Sequence, residues 1–317
     1  MTKKITLRKL ASDLEVAPAT VLRALSGHPH VRPELRRRIV AHAAACGYEL
    51  PERRTGNIAV ITESLFFCPY LSSLLSRLCW ELHENGFHCC ICDKSDIEYL
   101  NDYMLDGVIS TTWTEGFEKS YPKLHSLPFV SLNSGDNLQD NVYMVSSDNY
   151  GAVTRAMQHL YDGGCRRILL VMTFPVENRG SNERLQAFND FCTERNIPGE
   201  KEGFLLRISN NWKAVLKRMA ELEADAVFCA SERDVTELYH GIRQMGLRVP
   251  EDVSVICFSS GESDRYMDPP LTVLKQDFQR LAQEAVKMLK SRLAGEPIHA
   301  SVRVPLEFIP RKSVRRN

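Results

Sequence analysis

The sequence predicts two unlike parts in one chain: a small all-α unit, then an α/β body of two doubly wound parallel sheets. Three observations carry this expectation. Apolar residues recur at helical spacing through residues 6–46 with no strand pattern between them. From Asn57 onward short apolar runs alternate with helical patterns, which is how parallel βαβ units read. That alternation comes in two series, the second opening at RRILLVM, so two sheets are expected rather than one.

The N-terminal unit is built around TLRKLASDLEVAPATVLRALS, residues 6–26. Thr6 can cap a first helix whose Leu7, Leu10, Ala11 and Leu14 share one face. Glu15 and Val16 form a turn, and Pro18 opens a second helix at a position where its missing N–H is harmless. Val21, Ala24 and Leu25 point back to the core, leaving Pro18, Ala19, Thr20 and Arg23 outside. A helix-turn-helix uses this geometry to lay its second helix in the major groove, where an arginine can read guanine or grip phosphate. An ordinary helical hairpin is the alternative. Pro33 begins a third helix closed by Leu35, Ile39 and Ala43, and Gly47 stops it. ELPERRTG follows, with the composition of a linker.

Charge separates the same two parts. The chain is neutral overall, yet residues 1–54 hold eleven Lys or Arg against five Asp or Glu, a net +6, so the remainder carries −6. Segregation of this kind points to a polyanion as partner of the N-terminal unit. A solvated basic face is the alternative, although Arg36, Arg37 and Arg38 follow the helix pair where phosphates would lie.

In the body, NIAVIT, PYLSSLLSRLCWELHENG, FHCCICD, GVIST and PFVSLN make the first series. The second runs from RRILLVM through SNERLQAFNDFCTERN, FLLRIS, NWKAVLKRMAELE, AVFCA and ERDVTELYHGIRQMG to VSVICF. Ligands of open α/β sheets sit beyond the carboxyl ends of the strands, so two facing halves make a cleft. His88, Cys89, Cys90 and Cys92 in FHCCICD read as a buried strand rather than a metal or redox site, because adjacent strand residues face opposite ways. No metal and no cofactor are expected.

Composition excludes other classes. Of 317 residues, 44% are hydrophobic and 25% charged, as in soluble globular proteins. No stretch has the roughly eighteen apolar residues of a membrane span, MTKKITLRKL carries no apolar signal core, and ten cysteines suit a reducing compartment. A cytoplasmic protein, nucleoid-associated when DNA-bound, is expected. Nucleophile triads, a Walker loop and a dinucleotide glycine fingerprint are absent, so the chain does not read as an enzyme.

VAPATVLRALSGHPHVRPELRRRIVAHAAACGY resembles the headpiece of the lactose-repressor (LacI/GalR) family, which commonly reads VSxATVSRVLN, VSPETRxRV and LGY. Ala19, Thr20, Val21, Arg23, Leu25, Pro33, Glu34, Arg36 and the Gly47–Tyr48 pair match. Ala17, Leu22 and Ser26 depart from the usual Ser, Ser and Asn, which removes two hydroxyls that could bind phosphate. SSDNYGAVTRAMQHLYDGGCRRILLV, GLRVPEDVSVICF, DPPLTVLKQDF and LAGEP extend the resemblance across almost the whole chain.

The resemblance implies a headpiece at 1–50, a linker at 51–56 and a periplasmic-binding-protein-like effector domain at 57–317. Its two subdomains would be joined by crossovers near Arg167, Gln276 and Val304. Thr6, Pro18, Ala19, Thr20, Arg23, Ser26 and Tyr48 are the implied contacts to double-stranded, palindromic operator DNA. A homodimer is implied too, with no membrane partner; Leu71, Leu74, Leu75, Leu78 and Trp80 exceed what one buried face needs, so they belong either to its interface or to the core. Nine residues separate Tyr48 from Ile58, and Pro51 and Gly56 oppose a helix there, so a central operator kink by Leu50 is not expected.

For the effector, Arg184 and Asp148 match the family's cleft positions, while Ser259–Ser260 and Ser231–Glu232 replace its frequent Asp and Asn-Asp. Glu63, Tyr70 and Trp113 stand at strand ends of the first half, and Glu232 and Ser259 at those of the second. Loss of the sugar-binding carboxylate around Arg184 points to an anionic effector, a sugar acid or sugar phosphate, an expectation that Glu63 and Glu232 oppose if both face the cleft. The alternatives are a repressor with a degenerate cleft, acting constitutively, and a solute-binding protein.

Overall fold

The computed structural model describes residues 5–25, 31–48, 55–63, 68–112, 127–133, 142–173, 179–208, 211–230, 235–259, 261–296 and 301–316. Helix α1 (Leu7–Asp13) starts where extended Thr6 accepts the Lys9 amide on its hydroxyl at 3.3 Å. Helices α2 (Pro18–Leu25) and α3 (Pro33–Ala45) both begin on proline. Between α1 and α2 the chain turns at Glu15, φ +56°, and the Val16 amide closes on the Ala11 carbonyl at 3.0 Å. Leu10, Ala11, Leu14, Val21, Ala24, Val31, Ile39 and Ala43 form one small core. Gly47, at φ +63°, reverses the chain so that the Tyr48 amide reaches the Ala43 carbonyl at 2.9 Å and satisfies the end of α3. Asp13 ties the first and third helices, meeting Lys9 at 2.7 Å and His42 at 3.5 Å.

Among the described residues the body contains two six-stranded sheets. The first comprises β1 (Asn57–Thr62), β2 (His88–Asp93), β3 (Gly107–Ser110), β4 (Phe129–Leu132), β5 (Val142–Ser147) and β11 (Ser301–Val304), in the order β11-β5-β4-β3-β1-β2, with every pair parallel. The second comprises β6 (Ile168–Thr173), β7 (Leu205–Ile208), β8 (Ala226–Cys229), β9 (Ser254–Ser259), β10 (Thr272–Lys275) and β12 (Glu307–Ile309), in the order β12-β10-β9-β8-β6-β7. Only its β10–β12 pair is antiparallel.

Helices α4 (Pro69–Glu84) and α9 (Phe278–Ala294) cover one face of the first sheet. Leu71, Leu74, Leu75 and Leu78 are buried there against Leu281, Ala282, Ala285 and Leu289, so these four belong to the core and not to a dimer surface. Four leucines are accommodated because α4 packs on the sheet and on α9 at once. Only Trp80 of that set stays outside, 61% exposed. FHCCICD forms β2, but as an edge strand that is partly open rather than buried, since β1 is its sole described neighbour. Among the described residues no helix is long and apolar enough to cross a membrane.

Helices α5 (Asn149–Asp162), α6 (Arg179–Arg195), α7 (Trp212–Glu221) and α8 (Thr236–Gln244) belong to the second half, whose core holds Ala152, Val153, Ala156, Met157, Leu160, Phe188, Phe228 and Phe258. Because α5 buries its apolar face there, the chain leaves the first sheet at Ser147–Asp148, about twenty residues before the crossover expected near Arg167. It returns at Gln276, between β10 and α9, and crosses again between Val304 and β12.

A hydrogen-bonded knot gathers these crossings. The Gln276 side-chain oxygen accepts from Asn133 Nδ2 at 2.8 Å and from the Ser147 hydroxyl at 2.7 Å. Asn133 Oδ1 accepts the Ser147 amide at 2.7 Å, and the Asp148 amide donates to the Val304 carbonyl at 2.8 Å. Gln276 is 4% exposed, so Gln276→Leu would strand two donors, at about 1–3 kcal/mol for each group left unsatisfied. Thermal denaturation of the variant should show the body melting roughly 5–10 °C lower. An unchanged midpoint would show that the knot contributes no stability.

Candidate functional site

Two regions follow from this architecture, one on the headpiece and one where the sheets' carboxyl ends meet. On α2, Val21 and Ala24 are buried, which fixes the rotation of the helix and turns Pro18, Ala19, Leu22 and Arg23 outward. Thr20 is half-buried at the edge of that face. Leu22 adds to it an apolar residue, 38% exposed, that the sequence pattern alone does not assign there. The surface therefore offers methyl groups and one guanidinium, a combination that fits base edges and a thymine methyl.

Thr6 is exposed, but its hydroxyl oxygen already caps α1. Tyr48 is half-buried against the headpiece core. Arg38 reaches back to the Leu14 carbonyl at 3.4 Å, so one member of the arginine run braces α1. Ser26 and Leu50 lie outside the described residues.

In the body, Arg184 occupies the centre of the second region. Its Nε donates to Asn149 Oδ1 at 2.8 Å and its Nη1 to the Ala230 carbonyl at 2.7 Å. The guanidinium lies 3.8 Å above the Phe258 ring. Two hydrogen bonds and a cation–π contact hold the planar fork in one orientation. Helix α6 supplies the arginine, the first residue of α5 its amide partner, the end of β8 the carbonyl, and β9 the aromatic floor.

Asp148 stands beside this group, but its Oδ1 accepts the Gly151 amide at 3.1 Å and caps α5. The neighbouring Asn149, not Asp148, is the residue that engages Arg184. A Cβ at position 151 would lie 2.4 Å from Asp148 Oδ2, so glycine is what admits the cap. Ser259 is half-buried and turned to its own loop, exchanging contacts with the Gly261 carbonyl at 3.4 Å and amide at 3.3 Å.

On the first subdomain's side, Tyr70 meets the crossing knot directly. Its hydroxyl accepts from Asn133 Nδ2 at 3.1 Å and its ring packs edge-on to Phe278 at 5.6 Å. Glu63, at the end of β1, is paired with the Lys94 ammonium and accepts from the Thr112 hydroxyl. Its charge is thus compensated within the first subdomain. Trp113 and Glu232 lie outside the described residues. Among those described, no group of three or more His, Cys, Asp or Glu is placed to hold a metal ion.

Comparison with known proteins bears on both regions. A model of the periplasmic binding protein-like domain matches residues 157–314. The transcriptional regulator MalR of Streptomyces coelicolor is 27% identical over 333 residues, covering 98% of this chain and 95% of its own. The transcriptional repressor CytR of Escherichia coli is 25% identical, covering 98% and 96%. Among solved structures, a complex of the transcriptional regulator CelR with cellobiose superposes with a TM-score of 0.71 at 24% identity, over 98% of this chain and 99% of that one. The lac repressor dimer bound to operator and an anti-inducer gives 0.72 at 20%, over 99% and 100%. These two likenesses establish the fold.

Proposed function

We propose a mode of action for this chain from the premise that it belongs to the lactose-repressor (LacI/GalR) family. It is a DNA-binding transcriptional regulator controlled by a small-molecule effector, and not an enzyme. In our reading it represses transcription as a cytoplasmic homodimer on a palindromic double-stranded operator. Residues 1–50 form the reading head, 51–56 the tether and 57–317 the effector-binding and dimerisation domain.

The observation that carries DNA reading is the outward face of α2, Pro18, Ala19, Leu22 and Arg23, set on a unit of net charge +6. Such a face serves base contact better than solubility, and two copies on a two-fold axis would read two half-sites. Arg23→Ala should weaken operator binding by ~1–3 kcal/mol, about 5- to 150-fold, and relax one position per half-site. Equal losses on operator and random DNA in a binding assay would reduce Arg23 to a phosphate contact.

Dimerisation requires an apolar face outside the cores. Trp80, 61% exposed on α4, and Ile91, 42% exposed on the edge strand β2, supply one. Trp80→Glu should therefore shift the protein toward monomer in sedimentation and weaken operator binding with it. A dimer of unchanged affinity would place the interface elsewhere.

The effector that fits the cleft is a carbohydrate bearing an acidic group. Solved structures of the same fold hold neutral sugars, cellobiose in one and ribose in another. Here Arg184 presents a rigid fork held by Asn149 and Ala230, and Glu63, the acid at the end of β1, is neutralised by Lys94. A fixed guanidinium favours a carboxylate or phosphate, which it can grip with two parallel bonds.

A further inference from the structure

We propose that Cys79 and Cys89 form an oxidisable dithiol, a modification site at which hydroperoxides are reduced and a disulfide is made between α4 and the edge strand β2. The two sulfurs lie 3.2 Å apart, Cys79 on the helix and Cys89 at the second position of the strand. A disulfide bond spans about 2.05 Å, so side-chain rotation over little more than 1 Å closes it. Both residues are half-buried, whereas Cys165, Cys192, Cys229 and Cys257 are shut into the second core. Neither is used by the headpiece or by the cleft.

The surroundings give the two thiols different roles. A hydrogen bond from Cys89 stabilises the Cys79 thiolate and lowers its pKa to about 7. The same bond, with burial and the neighbouring thiolate, pushes the Cys89 thiol up. Cys79 is therefore the readier nucleophile of the two, while Cys89 keeps its proton more firmly. Neighbouring cysteines lack this pairing: the Cys92 thiol turns to the Asp93 carbonyl at 3.1 Å, and burial and nearby aspartates raise its pKa.

The chemistry closes without a cofactor. The Cys79 thiolate attacks the terminal oxygen of a hydroperoxide, the O–O bond breaks, and the departing oxygen leaves as water or an alcohol after taking a proton. Cys79 becomes a sulfenic acid. Cys89 then attacks that sulfur, an S–S bond forms, the S–O bond breaks, and the hydroxyl leaves as water with the Cys89 proton. Two thiols and one hydroperoxide give one disulfide, one alcohol or water, and one water.

The test treats the full-length protein with hydrogen peroxide, alkylates the remaining thiols at intervals and maps the cysteines by mass spectrometry. Cys79 and Cys89 should disappear together, at least tenfold faster than Cys68 or Cys90, as a link within one chain that dithiothreitol reverses. The rate should level off at a lower pH than that of an ordinary thiol, as a lowered Cys79 pKa requires. In Cys89→Ser, dimedone should trap a sulfenic acid at Cys79; in Cys79→Ser, Cys89 should react slowly, with both variants still binding operator. Loss at equal rates across the partly exposed cysteines would overturn the proposal, as would dimedone capture at Cys89 or a link between two chains. The wild-type mapping decides the matter even if a variant fails to fold.

Discussion

Val21→Asp is expected to abolish operator binding while the body melts as before. Val21 has no exposed surface and packs in a headpiece core of which eight residues are buried among those described. A unit of this size has a stability of roughly 2–6 kcal/mol. Burying an unpaired carboxylate costs several kcal/mol, so the headpiece unfolds rather than hold it. Gel-shift titration should show at least a hundredfold loss, and calorimetry should show the main transition of the two-sheet body unmoved. Operator binding near the wild-type level would mean that this core does not set the orientation of α2. Arg23→Ala is the milder counterpart, since it removes one reading group and leaves the helix in place.

The second large effect concerns the effector. Calorimetry with matched ligands, such as glucose, gluconate and glucose 6-phosphate, should show the acidic members binding more tightly than the neutral one. In Arg184→Met that preference should vanish, with the acids weakened by ~2–4 kcal/mol, about 30- to 1,000-fold, for the loss of a bidentate charged pair. Part of the change is indirect, because Asn149 and the Ala230 carbonyl lose their partner as well. A control separates the two contributions: in Asn149→Ala the arginine keeps its charge and its seat on Phe258, so the preference for acids should survive at lower affinity. Tighter binding of the neutral sugar by the unaltered protein, or unchanged acid binding in Arg184→Met, would reject the anionic reading.

Much of this architecture is legible in local pattern. Helical spacing from Thr6 to Ala45 and proline at two helix starts mark the headpiece, and alternating apolar runs mark both sheets. What eludes the sequence depends on which element a face meets. The apolar stripe of α5 is plain, but nothing in it says that the second sheet rather than the first lies underneath, so pattern alone puts the first crossover too late. The leucines of α4 outnumber what one sheet needs because α9, some two hundred residues later, packs on them too. In the cleft, Arg184 is identifiable from its motif, yet Asn149, Ala230 and Phe258 gather around it from three separate strand ends. Gln276 lies in the DPPLTVLKQDF stretch and marks a crossover, but its bonds to Asn133 and Ser147 are not legible there. The adjacent cysteines of FHCCICD stand out as a cluster, whereas the partner of Cys89 sits ten residues upstream on a helix.

The knot at Gln276 also makes α4 a lever. Tyr70, at the start of that helix, is bonded to Asn133 and so sits at the fulcrum. Trp80 is ten residues farther along, ~15 Å at the helical rise. Were the two halves to turn by about 15° around the knot, the indole would swing through ~4 Å while the tyrosine hydroxyl barely moved. With Trp80 in the interface proposed above, an arc that long would exceed what packed side chains absorb without slipping to a new seating. Each copy's β1 starts at Asn57, at the end of the tether, and would be carried along. A molecule seated on Arg184 would thereby set the gauge between two reading heads it never touches.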